Sequence, residues 1–147
     1  MGREHLQSRD AQPDRQKDRG VDCNNEILEW QGTSWVKTND GYGVKITVDG
    51  AGVPWVLASD NGVWRRTSST ASGNGTWTEV IGYGQDIGGG ALVNGTPYIV
   101  LSASDNSLWV WTSPGQFQQI DGYGVSVTAD SSAVAWVVAS SGSVWRN

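Results

Sequence analysis

The tetrapeptide Asp40-Gly41-Tyr42-Gly43 returns as Asp121-Gly122-Tyr123-Gly124, with a near copy at Ile81-Gly82-Tyr83-Gly84. The first glycines stand at 41, 82 and 122, so the steps are 82 − 41 = 41 and 122 − 82 = 40. A shift of 81 residues aligns 40–66 (DGYGVKITVDGAGVPWVLASDNGVWRR) with 121–147 (DGYGVSVTADSSAVAWVVASSGSVWRN) without a gap, and 15 of the 27 positions are identical. The middle copy is looser but keeps the order of features. Tyr98 stands where Trp55 and Trp136 stand, and Leu108-Trp109 where Val63-Trp64 and Val144-Trp145 stand. An aromatic precedes each copy: Trp35, Trp77 and Phe117.

A period near 40 residues leaves two architectures, helical hairpins or propeller blades of four short strands. The chain has 9 Trp and 20 Gly, and Val, Thr and Ser replace most Leu, Ile and Phe. That mix favours strands and tight turns, and no apolar spacing of 3.6 residues argues for helices. In the first copy the four strands are expected at Trp35–Thr38, Val44–Asp49, Trp55–Ser59 and Val63–Thr67. Asp60-Asn61-Gly62 is a hairpin signal, because Asn and Gly tolerate positive φ. Asp49-Gly50-Ala51-Gly52 and Asp105-Asn106-Ser107 act alike. The expected fold is all-β: about three four-stranded β-propeller blades in residues 21–147, with repeats at about 35–76, 77–116 and 117–147. Ile27-Leu28-Glu29-Trp30 resembles Leu108-Trp109-Val110-Trp111, so 26–31 reads as an extra closing strand. Propellers close with about 4–8 blades, and three leave open sheet edges. Two chains joined head to tail would close a six-bladed ring; the alternative is a fragment of a larger propeller protein.

Several function classes are disfavoured. Gly-Tyr-Gly also occurs in potassium-channel filters, but these need flanking membrane helices of about 20 apolar residues, and no such run exists. Residues 1–20 hold five basic and four acidic side chains, so with −5 overall, residues 21–147 carry −5 − 1 = −6. An acidic body is a poor match for nucleic acid or anionic membranes. The first 20 residues read as a disordered charged tail without the apolar core of a signal peptide. That fits a cytoplasmic protein or one exported without a leader. A single cysteine, Cys23, allows no intrachain disulfide. The only histidine, His5, lies in the tail, and no serine elbow or metal-ligand cluster is present, so neither an enzyme nor a cofactor is expected. Asp40 and Asp121 are related by the repeat, whereas acid–base pairs need different environments.

The matching residues form a pattern: aromatic-x-x-[VI]-x-G-x-x-x-x-[IV], an apolar-Trp-Val strand, then [VL]-Trp-Arg. It is carried by Trp77, Val80, Gly82 and Ile87, by Trp55-Val56 and by Val63-Trp64-Arg65. Over roughly 26–147 the chain resembles the tectonin-type repeat. The resemblance implies a propeller lectin that binds sugars or bacterial surface glycans through loops at the blade ends.

In a four-stranded meander, successive loops alternate between the two ends. If the Asp-Gly-Tyr-Gly loop joins strands one and two, and Ser59–Gly62 joins strands three and four, both open on one face. The candidate glycan contacts there are Asp40, Tyr42, Asp60 and Asn61 from blade one, Tyr83, Asp105 and Asn106 from blade two, and Asp121 and Tyr123 from blade three. Carboxylates and amides can hold sugar hydroxyls, and the C–H faces of a sugar stack on aromatic rings. The structural alternative has each tyrosine packing between blades. Trp55, Trp64, Trp109, Trp136 and Trp145 are expected in the core, and Arg65 and Arg146 as solubilising charges on edge strands. Asp40, Asp49, Asp121 and Asp130 are expected to cap turns, with calcium ligation the lesser reading, since no EF-hand spacing occurs. The function expected is a multivalent lectin, with a non-catalytic protein-interaction scaffold as the alternative.

Overall fold

A computed structural model describes residues 18–67, 75–112 and 115–147, which form fourteen strands in four antiparallel sheets. The first sheet holds β1 (Arg19–Val21), β2 (Glu26–Trp30) and β3 (Trp35–Tyr42). The second holds β4 (Lys45–Val48), β5 (Pro54–Leu57), β6 (Gly62–Arg66) and β7 (Trp77–Tyr83). The third holds β8 (Asp86–Val93), β9 (Thr96–Ser102), β10 (Ser107–Thr112) and β11 (Gln116–Tyr123). The fourth holds β12 (Ser126–Ala129), β13 (Ala135–Val138) and β14 (Val144–Arg146). Each sheet is a simple meander. The fold is therefore all-β and built of propeller blades, two of them four-stranded.

The hairpin signals fall where expected. Asp60-Asn61 turns β5 into β6, with Asn61 at φ 69°, and Asp105-Asn106 turns β9 into β10, with Asn106 at φ 67°. One expectation is corrected. The strand that begins with the aromatic does not open a blade; it closes the preceding one. Trp35 pairs with Trp30, Trp77 with Arg66 and Phe117 with Trp111. Gly-Tyr-Gly is thus not a hairpin inside a sheet but the link from one sheet's outer strand to the next sheet's inner strand. The backbone shows why. Gly43 N–H bonds back to Asn25 of its own sheet at 2.8 Å, while Val44 N–H already reaches forward to Leu57 of the next at 2.7 Å. Sequence repeats and sheets are therefore offset by one strand. The stretch 26–31, expected as a closing strand, is instead β2, the middle strand of the first sheet and the equivalent of β6 and β10, because β3 closes that sheet.

The inner strands β4, β8 and β12 meet where side chains would not fit. A β-carbon on Gly88 would lie 2.4 Å from Thr128 Cα, and one on Gly50 would lie 2.5 Å from the Ala91 carbonyl carbon. Asp86 fastens the same junction: its Oδ2 accepts from the Ser126 hydroxyl at 2.6 Å and from the Val127 amide at 2.9 Å. Between the second and third sheets lies an apolar cluster of Trp55, Leu57, Val63, Val80, Ile99 and Leu101, with Trp111 and Phe117 packed against it. Trp111 meets both Trp55 and Phe117 edge-on, at 5.3 and 5.2 Å, a favoured aromatic geometry.

The first and second sheets are joined differently. The buried carboxylate of Asp40 pairs with the buried Arg66 guanidinium at 2.5 Å and accepts from the Thr38 hydroxyl and the Gly75 amide. Arg19 pairs with Glu29 at 2.6 Å beside them. Burial, and to a lesser extent the neighbouring Arg66, lowers the Arg19 pKa, with Glu29 and Asp40 opposing. Arg19 and Gly20 are thus part of a strand, not of the charged tail. Residues 1–17 of that expected tail lie outside the described residues.

Candidate functional site

Three turns and three glycines make one repeated joint. Asn25, Asn61 and Asn106, all at positive φ, offer their carbonyls to the amides of Gly43, Gly84 and Gly124 at 2.8, 3.0 and 2.8 Å. The β5–β6 turn and the end of β7 therefore lie side by side, and Gly62 pairs with Tyr83. The same holds for Ser107 and Tyr123. The expected shared face is real, but the partners change. Tyr83 belongs with Asp60 and Asn61, and Tyr123 with Asp105 and Asn106, because each link closes the sheet behind it. Tyr42 falls beside Glu26 and Lys37 of the first sheet.

The tyrosine rings are not packed between blades. Tyr42, Tyr83 and Tyr123 are all exposed, Tyr83 by 69%. The preceding glycine explains the pattern. A β-carbon on Gly41 would lie 2.7 Å from Trp77 Nε1, and one on Gly82 would lie 2.8 Å from Phe117 Cδ2. Trp77 and Phe117 thus each lie over the first glycine of the previous copy, and that glycine gives the ring room.

A cleft of about 640 Å³ opens between the second and third sheets, within the range of small-molecule sites. Asp60, Asn61 and Tyr83 form one wall, Asp105 and Ser104 the other, with Trp109 and Phe117 also lining it. Asp60 Oδ1 accepts the Gly62 amide at 2.9 Å, and Asp105 Oδ1 accepts the Ser107 amide and hydroxyl at 2.9 and 2.6 Å. Those Ser107 bonds hold the Asp105 carboxyl below its ordinary pKa. Each aspartate is thereby held by its own turn through Oδ1. Asn106 Oδ1 accepts from Gln85 Nε2 at 2.8 Å, which fixes the amide in place.

The three copies do not make equivalent sites. Asp40, expected at the surface, is buried in its pair with Arg66, because its turn faces the charged seam between sheets one and two. Only about 90 Å³ is open beside Tyr42. Asp121 and Tyr123 line a separate hollow of about 370 Å³ with Trp145. Asp49 and Asp130 serve their turns: Oδ1 accepts two turn amides and Oδ2 the indole N–H of Trp55 or Trp136, at 3.0 and 3.1 Å. Arg65 lies on a paired interior strand, with its guanidinium 5.2 Å from the Trp55 ring centroid. The sequence reading missed Phe117, Trp109 and Ser104 as cleft residues. The offset between repeat and sheet, once known, points to the leading aromatic.

These features define a partial propeller with an interblade cleft between its second and third sheets. No family model matches the sequence, and no curated protein matches it; the tectonin-type resemblance has no support there. Among solved structures, the chain is similar to a selenomethionine-substituted virginiamycin B lyase from Staphylococcus aureus. The TM-score is 0.49 and the identity 13%, over 88% of this chain and 54% of that one, so this chain spans about half of that protein. A likeness at this level carries no argument about activity. The blade description rests on the strand pairing itself.

Proposed function

We propose that the chain is a non-catalytic carbohydrate-binding module that takes a glycan in the cleft between its second and third sheets. One observation carries the reading: an exposed tyrosine and two further aromatics line the cleft beside two turn-anchored aspartates. The rings would stack on sugar C–H faces, while Asp60, Asp105 and Asn61 would accept from or donate to hydroxyls. The resemblance to tectonin-type lectins agrees with this chemistry. A second copy closing a ring would multiply such sites and raise avidity on bacterial surface glycans or other repetitive coats.

The test is a glycan array with the purified protein, with its native mass recorded on the same sample. Saturable binding to one sugar family is expected. Tyr83→Ala should weaken it about tenfold or more, as loss of an aromatic anchor does, with Tm nearly unchanged because the ring is exposed. Tyr42→Ala, beside the small first pocket, should do far less. If no sugar binds, the scaffold reading takes over, and the exposed Ile81 beside Tyr83 becomes its natural protein contact.

A further inference from the structure

We propose that Asn94 is a site of spontaneous covalent modification, where the side-chain amide is lost and aspartate or isoaspartate forms. The chain holds three Asn-Gly steps, Asn61-Gly62, Asn74-Gly75 and Asn94-Gly95. Asparagine is a thermolabile residue, and a following glycine leaves its own backbone nitrogen uncrowded. The reaction starts when that nitrogen, having lost its proton, attacks the asparagine Cγ. The new C–N bond closes a five-membered succinimide, and Nδ2 leaves as ammonia. Water then opens the ring at either carbonyl. One opening gives aspartate; the other routes the backbone through the side chain and gives isoaspartate. Water is the only co-reactant, and nothing is oxidised or reduced.

The glycine amides separate the three steps. Gly62 N–H donates to Asp60 Oδ1 at 2.9 Å, and Gly75 N–H donates to Asp40 Oδ2 at 3.0 Å. A carboxylate on that proton resists its loss and holds the nitrogen in place. Asn61 is fixed further by its carbonyl, which accepts the Gly84 amide. Among the described residues nothing accepts from the Gly95 amide. Asn94 and Gly95, at φ 49° and 78°, form the two-residue turn between β8 and β9, closed by the Val93↔Thr96 pair. Both are exposed, and a β-carbon on Gly95 would meet nothing within 4 Å. Leu92 and Val93, just before the turn, are exposed as well, so the hairpin end packs on little and local opening there costs little. Opening lets Asn94 leave the left-handed region and bring Cγ to the Gly95 nitrogen. The product carries one more negative charge, and isoaspartate adds a backbone methylene that a two-residue turn does not accommodate.

The experiment incubates the purified full chain at neutral and at mildly alkaline pH, in water enriched in heavy oxygen, and follows each asparagine by peptide mass spectrometry. Asn94 should convert about tenfold faster than Asn61 or Asn74, or more, the factor that one hydrogen bond to a charged group represents. Heavy oxygen should enter the new carboxyl group, and the rate should rise with pH because the attacking nitrogen must lose its proton. In denaturant the three steps should convert at similar rates, since each is an Asn-Gly step without its fold. Asp60→Ala, which frees the Gly62 amide, should raise conversion at Asn61 towards that at Asn94. Conversion at Asn61 or Asn74 that matches or exceeds Asn94 in the folded chain would overturn the assignment. So would an Asn94 that stays intact in the folded chain while the denatured chain converts.

Discussion

Val63 and Val144 hold the same repeat position and are both followed by Trp-Arg, yet one is fully buried and the other stands in solvent. Trp55 and Trp136 repeat the contrast, at 0% and 38% exposed. Their local geometry is the same. Each indole donates to the aspartate six residues before it, at 3.0 and 3.1 Å, and each aspartate caps the same turn. The difference shows two levels of specification. The turn and its indole bond are encoded within one copy. Burial depends on the neighbouring sheet: Trp111 of the third sheet packs edge-on against Trp55, whereas among the described residues no further sheet follows the fourth to cover Trp136.

The contrast can be sharpened first at the tryptophans. Trp55→Ala should cost about 3–5 kcal/mol, the range for a large core residue, and Trp136→Ala about 1 kcal/mol or less. Chemical denaturation of both variants checks this, and equal losses would mean that the fourth sheet is already covered in solution. The valines come next. Val63→Ala should lose about 2 kcal/mol and Val144→Ala less than about 0.5 kcal/mol.

The smallest effect is acid sensitivity of the exposed turns. Trp136 and the Val134 amide hold Asp130 below its ordinary value of 3.8, and the Glu26 amide does the same for Asp22. A carboxylate with a lowered folded pKa adds stability above its unfolded pKa and loses it as pH falls through the folded one. The Tm should therefore fall more steeply below about pH 4, with a shallower fall in Asp130→Asn. An identical acid slope in that variant would show that the turn bond does not persist in solution.

Much of this was legible in the sequence. The period near 40, the Asp-Asn-Gly hairpins and the all-β class follow from turn chemistry and composition. The ownership of the leading aromatics was not. Trp35, Trp77 and Phe117 each adjoin their own copy in the chain but pair backwards, because two residues separate Tyr42 from Lys45 and their amides bond to different sheets. Pattern alone does not say which neighbour a strand will pair with. The same blindness affected the site. Asp40 and Asp121 are identical in the repeat, but among the described residues only Asp40 of the two forms an ion pair with an arginine, Arg66, which has Asn147 at its equivalent position in the third copy. Tyr83, Asp60 and Asp105 were named from sequence as surface residues; that they share one cleft required the offset.

That offset behaves like a lap joint in timber. Every copy of the sequence straddles two sheets, so a cut between copies falls in the middle of a meander and not at its border. No copy can be lifted out, or come loose thermally, without opening the sheet behind it. In arrays that touch only nearest neighbours, stability is shared through such interfaces. Here the interface is covalent as well, so the blades should melt in company with their neighbours, and a single proteolytic nick between two copies should leave both halves clasped together.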